Sequence, residues 1–252
     1  MTIVPAIDIL GGKCVRLTKG DYSTGRVYCD DPLEMALRFQ DAGLTRLHLV
    51  DLDGAGSDHI VNRDVLRGIC AGTSLTVDFG GGIKSDADID AAFSAGAAMV
   101  TVGSAAATHP ELARKWIEKY GAGRIILGAD ARNGKIATRG WQDDSGLDIL
   151  DFIGGYHQLG VTKVICTDIN RDGTLQGPSI QLYRKIMEHF PDLALTASGG
   201  VSSVKDLEEL AEAGLAAAIV GKAYYEGRIT LQDMAGINKT ENRFKEKCLQ
   251  RE

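Results

Sequence analysis

Short apolar, β-branched runs recur along the chain at Ile3–Ile7, Leu47–Val50, Leu75–Val77, Met99–Val102, Ile125–Leu127, Val164–Cys166, Leu193–Ala197 and Ala217–Val220. Between them, apolar side chains return at helical spacing over Pro32–Ala42, Val61–Cys70, Asp86–Ala95, Pro110–Tyr120, Leu147–Leu159, Ser179–Phe190 and Val204–Ala213. Gly43, Gly96, Gly160 and Gly214 follow four of these stretches, where a left-handed C-cap needs glycine. Runs that are apolar at nearly every position predict strands of a parallel sheet covered on both faces, and eight strand–helix units close a (β/α)8 barrel. An open doubly wound sheet is the weaker alternative.

The pattern also repeats. LTVDFGGGIKSDADIDAAFSAGAAMVTVGS at Leu75–Ser104 returns as LTASGGVSSVKDLEELAEAGLAAAIVGK at Leu195–Lys222. Gly81 matches Gly199 and Gly103 matches Gly221, both at an offset of 118 positions. A constant offset between two glycine-rich turns is the mark of a duplicated half-domain, so one α/β barrel of two half-barrels is expected across 1–252, with a polar tail from about Thr230.

Composition narrows the function classes. With 252 residues, a formal net charge of −6 and no Lys/Arg cluster, the chain offers no footprint for nucleic acid or a membrane surface. The start MTIVPAIDIL lacks a basic region before a long apolar run, and a cytoplasmic location is expected. The five cysteines (Cys14, Cys29, Cys70, Cys166, Cys248) are scattered, which suggests neither a disulfide framework nor a zinc site. No obligate protein partner is called for, and a monomer is expected.

In such a barrel the chemistry sits at the C-terminal ends of the strands. The first four strands run into Asp8, then Asp51 and Asp53, then Asp78 with the triple glycine, then Gly103-Ser104. The last four run into Asp130, Thr167-Asp168, Ser198-Gly199-Gly200 and Gly221-Lys222. Each glycine turn, Gly81-Gly82 and Gly199-Gly200, is expected to lead from a strand into a helix N-terminus, where backbone N–H groups favour an anion. Tight turning alone can explain one such turn, but it explains two less well, each paired with a glycine closing the next strand. The candidate phosphate grips are therefore Gly81, Gly82, Gly103 and Ser104 on one side, and Gly199, Gly200, Gly221 and Lys222 on the other. A small-molecule ligand with a phosphate at each end follows.

Asp8 and Asp130 share a second repeat, DILGGK against DARNGK at an offset of 122. Two carboxylates between two phosphate sites can divide base and acid roles if their surroundings separate their pKa values. Loop capping, or pairing with Lys13 or Lys135, is the plainer account of either one alone. Thr167 and Asp172 stand at the end of the sixth strand as a hydroxyl and an acid. Their segment imitates a calcium loop, but its twelfth position is Ser179 rather than glutamate. Asp78-Phe79-Gly80 lacks the companions of a kinase motif, and Gly221-Lys222 lacks those of a P-loop. Arg16, Lys19, Arg26, Arg139 and Trp141 fall on two long loops, after the first and fifth strands. Loops of that length are often lids, so Arg16, Lys19, Arg139 and Trp141 are candidate substrate contacts; a solvated charge or a packed ring is the bland alternative for each. The five histidines show no metal-ligand spacing, receive no role, and no metal is expected.

Together, VPAIDILGGKCVRL, DFGGGI, VGSAA, GADARNGK with RGW, TDINRDGTLQGP, and ASGGV with VGKAYYEG resemble the isomerases of histidine biosynthesis, the phosphoribosylformimino-aminoimidazole carboxamide ribotide isomerases. The resemblance runs from about Thr2 to Tyr225. It implies a (β/α)8 barrel and an Amadori rearrangement of an aminoaldose to an aminoketose, with neither metal nor nucleotide cofactor. It further implies that Asp8 accepts the C2 proton, that Asp130 donates a proton in ring opening with Asp172 as the competing donor, and that Thr167 supports them. The cyclase subunit of imidazole glycerol phosphate synthase is a sister family, but its first strand typically reads CLD where this chain reads AID. A bifunctional isomerase that also takes phosphoribosyl anthranilate shares an Arg-Gly-Trp loop. A non-catalytic phosphometabolite-binding barrel would need neither Asp8 nor Asp130.

Overall fold

The computed structural model describes residues 1–249, with side chains as far as Thr240. Eight parallel strands form the barrel: β1 (Thr2–Leu10), β2 (Arg46–Asp51), β3 (Thr76–Gly80), β4 (Met99–Val102), β5 (Ile125–Arg132), β6 (Lys163–Asp168), β7 (Ala194–Ser198) and β8 (Ala217–Val220). Each pairs with its neighbours in chain order. β1 pairs with β8 through Thr2↔Ala217, and β5 pairs with β6 through Asp130↔Thr167, so the sheet has no open edge and is a (β/α)8 barrel.

The seven expected helices form within a residue or two of their sequence limits. Pro32–Asp41 shows why: Asp31 caps it by accepting from the Leu33 N–H, proline occupies its first turn, and Met35, Ala36 and Phe39 turn one stripe onto the sheet. Val204–Glu212 begins with a reciprocal capping box between Ser203 and Asp206. These helices and the outer strand faces share one core that includes Ile3, Ile7, Phe39, Leu47, Phe79 and Trp116.

A second, smaller core fills the barrel itself: Val4, Ala6, Met99, Ile126, Ile165, Ala217 and Ile219. Because strand side chains alternate in direction, the inward set Val4 and Ala6 continues on β1 to Asp8, and Ile126 continues on β5 to Asp130. Both aspartates thus stand at the top of the barrel interior, and their strands are four apart around the ring.

The two segments read as long loops are hairpins. Lys13–Thr18 and Asp21–Cys29 pair antiparallel after β1, and Lys135–Thr138 and Asp143–Asp148 do so after β5. Their corners are Gly11-Gly12 (φ +57° and +76°), Lys19-Gly20 (+53° and +72°) and Asn133-Gly134 (+53° and +77°), all left-handed as a two-residue type I′ turn requires.

The polar tail forms the helix Leu231–Leu249, which buries Met234 and Ala235 and ties Asn238 to the Ile3 N–H and carbonyl (2.6 and 3.1 Å) at the start of β1. That end of the barrel is opposite the mouth. Residues 250–252 lie outside the described residues, as does the Cys248 side chain. Cys14, Cys29, Cys70 and Cys166 are free thiols. Among the described residues, no helix is long and apolar enough to cross a membrane, and no group of side chains could hold a metal ion.

Candidate active site

The mouth of the barrel encloses about 1270 Å³ of space, partly open to solvent, and is floored by inward residues of all eight strands, among them Ala6, Ile165 and Ile219. Asp8 and Asp130 rise from this floor on opposite strands. Thr167 stands beside Asp130 as its register partner on β6 and donates a hydrogen bond to it.

Each aspartate meets a side chain delivered by its own hairpin. Arg16 Nη1 lies 2.8 Å from Asp8 Oδ2, with both side chains largely buried. Burial works against the Arg16 charge, but Asp8 and Asp172 outweigh it and hold the guanidinium more firmly protonated than usual. Trp141 instead donates its indole N–H to Asp130 Oδ2 at 2.9 Å. Burial outweighs the hydrogen bonds from Trp141 and Thr167 and leaves the Asp130 pKa raised. The indole also lies against Gly20 at the tip of the first hairpin: a Cβ there would come within 2.6 Å of Trp141 Cε3. The two hairpins therefore meet over the mouth through this ring.

Asp172 follows β6 in the loop that also faces Arg16. Burial pushes its carboxyl up to about 6, opposed by Arg16 and assisted by Asp8 and Asp130. Lys19 joins this loop through its backbone, donating its N–H to the Asp172 carbonyl at 3.1 Å.

The two glycine grips lie across the mouth from each other. Gly81 and Gly82 face Gly103 and Ser104 between β3 and β4. Gly199 and Gly200 face Gly221 and Lys222 between β7 and β8, in a recess that shares Arg16 and Asp172 with the main cavity. Their glycines are held by backbone crowding: at Gly81 (φ +91°) a Cβ would strike the Asp51 carbonyl, and at Gly200 (φ +84°) the Gly177 carbonyl.

The glycine turns do not run straight into helices, as the sequence had suggested. The long helices begin at Asp86 and Val204, and their first N–H groups are taken by their own caps. Lys84 N–H and Asp88 N–H bond to Asp88 and Ser85 side chains, and Ser202 N–H and Ser203 N–H both bond to Asp206. The turns that start at the grips are instead the short helices Ser104–Thr108 and Lys222–Tyr225, which open at Gly103 and Gly221.

Lys19 and Arg139 are the expected contacts that the fold does not bring into the mouth. The Lys19 side chain is exposed at the hairpin corner. Arg139 is 72% exposed and pairs with Asp143 at 3.2 Å, while only its backbone N–H reaches inward, donating to Ser104 Oγ at 3.0 Å. Both residues have left-handed φ (+53°).

Two residues without an assigned role do line it. Lys84 reaches the first grip, its ammonium donating to the carbonyls of Ser57 and Ala55. His48 faces inward from β2, and its Nδ1 makes a short hydrogen bond with Asp78 Oδ1 on β3. The signal for His48 was present: it is the polar residue in the otherwise apolar run LHLV.

The arrangement thus provides a base candidate paired with an arginine, a carboxyl pushed up to about 6 by burial, and two glycine-lined recesses. A family described as histidine biosynthesis protein matches residues 2–230. A protein of Bacteroides thetaiotaomicron is 55% identical over 232 residues, covering 92% of this chain and 97% of its own. One from Parabacteroides distasonis is 54% identical over the same shares. One from Cytophaga hutchinsonii is 51% identical over 236 residues, 94% of this chain and 98% of its own. All three are named 1-(5-phosphoribosyl)-5-((5-phosphoribosylamino)methylideneamino) imidazole-4-carboxamide isomerase.

Proposed function

The chain belongs to the histidine biosynthesis protein family and is an isomerase of the kind its relatives are named for; from this premise we propose how its residues divide the aldose–ketose rearrangement. The observation that carries the reading is the placement of Asp8 and Asp130 at the tops of opposite strands, between two glycine grips.

The substrate is the phosphoribosylformimino aminoaldose, with one phosphate in the recess of Gly81, Gly82, Gly103 and Ser104 and the other in that of Gly199, Gly200, Gly221 and Lys222. Opening the ribose ring needs a proton on the ring oxygen as the C1–O bond breaks, and leaves a protonated imine. Asp8 then removes the C2 proton, and the electron pair passes through C1 to nitrogen to give an enaminol. Loss of the enol hydroxyl proton and protonation at C1 complete the aminoketose.

We assign the ring-opening proton to Asp172 rather than to Asp130. A donor must carry its proton near the working pH, and Asp172 is pushed to about 6 with no hydrogen-bond donor on its carboxyl among the described residues. Burial raises Asp130 as well, but its carboxyl accepts from both Trp141 and Thr167, which oppose that rise; we place it facing the cationic imine rather than as the donor. Arg16 and Trp141 hold the two carboxylates, and Lys19 and Arg139 serve the lids through their backbones. The protein acts as a cytoplasmic monomer on this small molecule.

Incubating the protein in parallel with the aminoaldose, with phosphoribosyl anthranilate, and with the ketose plus ammonia tests the reading. Chromatography separates the products. Formation of the aminoketose in the first arm is expected; its absence there, with product in either other arm, would replace the assignment.

A further inference from the structure

The duplicated halves differ at one buried level of the barrel. In the first half the register partners His48 and Asp78 join β2 to β3. The same register in the second half joins Ile165 on β6 to Thr196 on β7. Asp78 and Thr196 are matched by the glycine repeat, and His48 and Ile165 by the strand pairs that carry them. The half-barrel therefore closes at this level with an uncharged pair. A buried carboxylate and imidazole cost desolvation that the fold itself does not require.

The geometry gives that cost a use. Asp78 is 1% exposed and its carboxylate engages His48 Nδ1, with Thr101 Oγ1 at 3.4 Å as a weak further neighbour. Occupying Nδ1 leaves Nε2 as the nitrogen that His48 can present to the cavity it lines. From there the ring lies within electrostatic reach of Asp8 on β1, Arg16 on the first hairpin and Asp130 on β5. Burial lowers the His48 pKa and Arg16 adds to that, but Asp78 and Asp8 prevail and the imidazole is raised.

We propose that Asp78 is a positioning residue of the isomerase, holding His48 as an imidazolium whose Nε2–H faces the sugar carbons between Asp8 and Asp130. In the reaction, which is the one put forward above, the C2 oxygen gains negative charge as the enol loses its hydroxyl proton. An N–H donor aimed at that oxygen stabilises the charge where it develops. The broken symmetry of the barrel then has a chemical reason: the donor is needed on one side of the sugar only.

The test combines a direct proton measurement with kinetics. Nitrogen-15 NMR of the His48 ring in the unmodified protein reports its charge whether or not the protein turns over any substrate. Both ring nitrogens are expected to stay protonated at pH 7, and a neutral ring there would overturn the proposal. Asp78→Asn keeps the size of the side chain and removes its charge, and Asp78→Thr installs the residue the second half already accommodates. In either variant kcat for the aminoaldose should fall by about 10-fold or more, the scale on which losing a carboxylate partner of a histidine is felt, with KM nearly unchanged. The alkaline limb of the kcat profile should move to lower pH by about one unit or more. In the double variant with His48→Gln, the Asp78 substitution should add little further loss. A folded Asp78→Asn protein with an unmoved alkaline limb, or additive losses in the double variant, would overturn the proposal. If no variant turns over aminoaldose and the unmodified protein does not either, it is the isomerase reading that fails, and the NMR result still decides the dyad.

Discussion

Arg16 Nη1 sits 2.8 Å from Asp8 Oδ2, and the same guanidinium lies against the α-carbon of Gly221, where a Cβ would overlap it. One side chain therefore connects the candidate base to the second glycine grip, and neither can be altered without the other sensing it.

Replacing Asp8 with Asn should retain the fold and the double phosphate grip while removing the base. General base catalysis is worth ~10²–10⁴, so kcat is expected to drop by that factor with KM changed far less. Steady-state kinetics on the aminoaldose measures both; near-normal turnover would refute the role.

Gly221→Ala should act through Arg16. The new methyl displaces the guanidinium from Asp8, since its three nearest neighbours are all Arg16 side-chain atoms. Activity is expected to fall while the melting temperature stays close to that of the parent. Gly81→Ala should do the reverse, because its methyl meets the Asp51 main chain at a left-handed φ of +91°. There the expected result is a large loss of stability, on the order of 2 kcal/mol or more, visible in denaturant unfolding without any substrate.

Asp172→Asn separates stability from activity. A carboxyl with an ordinary pKa of 3.8 unfolded and about 6 folded binds more protons in the native state between those values. Stability from this group is then full below 3.8 and is lost as pH rises toward and past 6. The amide removes that cost, so the variant should melt higher than the parent at pH 7.5, by on the order of 1–3 kcal/mol, with the advantage vanishing near pH 4. Its kcat should fall sharply. Thermal melts across that pH range check the sign.

Gly20→Ala probes the contact between the hairpins. Its methyl would lie 2.6 Å from Trp141 Cε3 on a residue with φ +72°. The strain of a left-handed alanine, roughly 1–2 kcal/mol, lowers the melting temperature modestly, and KM should rise as the hairpin contact loosens. Trp141→Phe should keep the ring against Gly20 and lose the donor to Asp130, lowering kcat instead.

The barrel was legible because its strands are buried on both faces and its helices are amphipathic, two patterns that differ in period. The paired aspartates and glycine turns were legible because duplication printed them twice. His48 and Asp78 occur in one copy only, so the repeat was silent about them. Their meaning lies in a cross-strand register that no local pattern reveals. The hairpins were readable in principle: Asn133-Gly134 is the strongest short hairpin signal, but the polar, exposed strand Asp21–Cys29 carries no alternation to support it. The outward Arg139 is held by Asp143 four residues on, an exposed pairing that its residue type does not announce.

Each grip contains one lysine, but not at the same place. Lys84 follows the first glycine turn where Ser202 follows the second, and Lys222 follows the eighth strand where Ser104 follows the fourth. A bisphosphate turned end for end would still find one lysine at either pole. The poles therefore act as a ruler that measures the length of the guest, and they are nearly blind to its heading. Heading is written at the equator, in the unlike pairs Arg16 with Asp8 and Trp141 with Asp130, and in a histidine that has no twin.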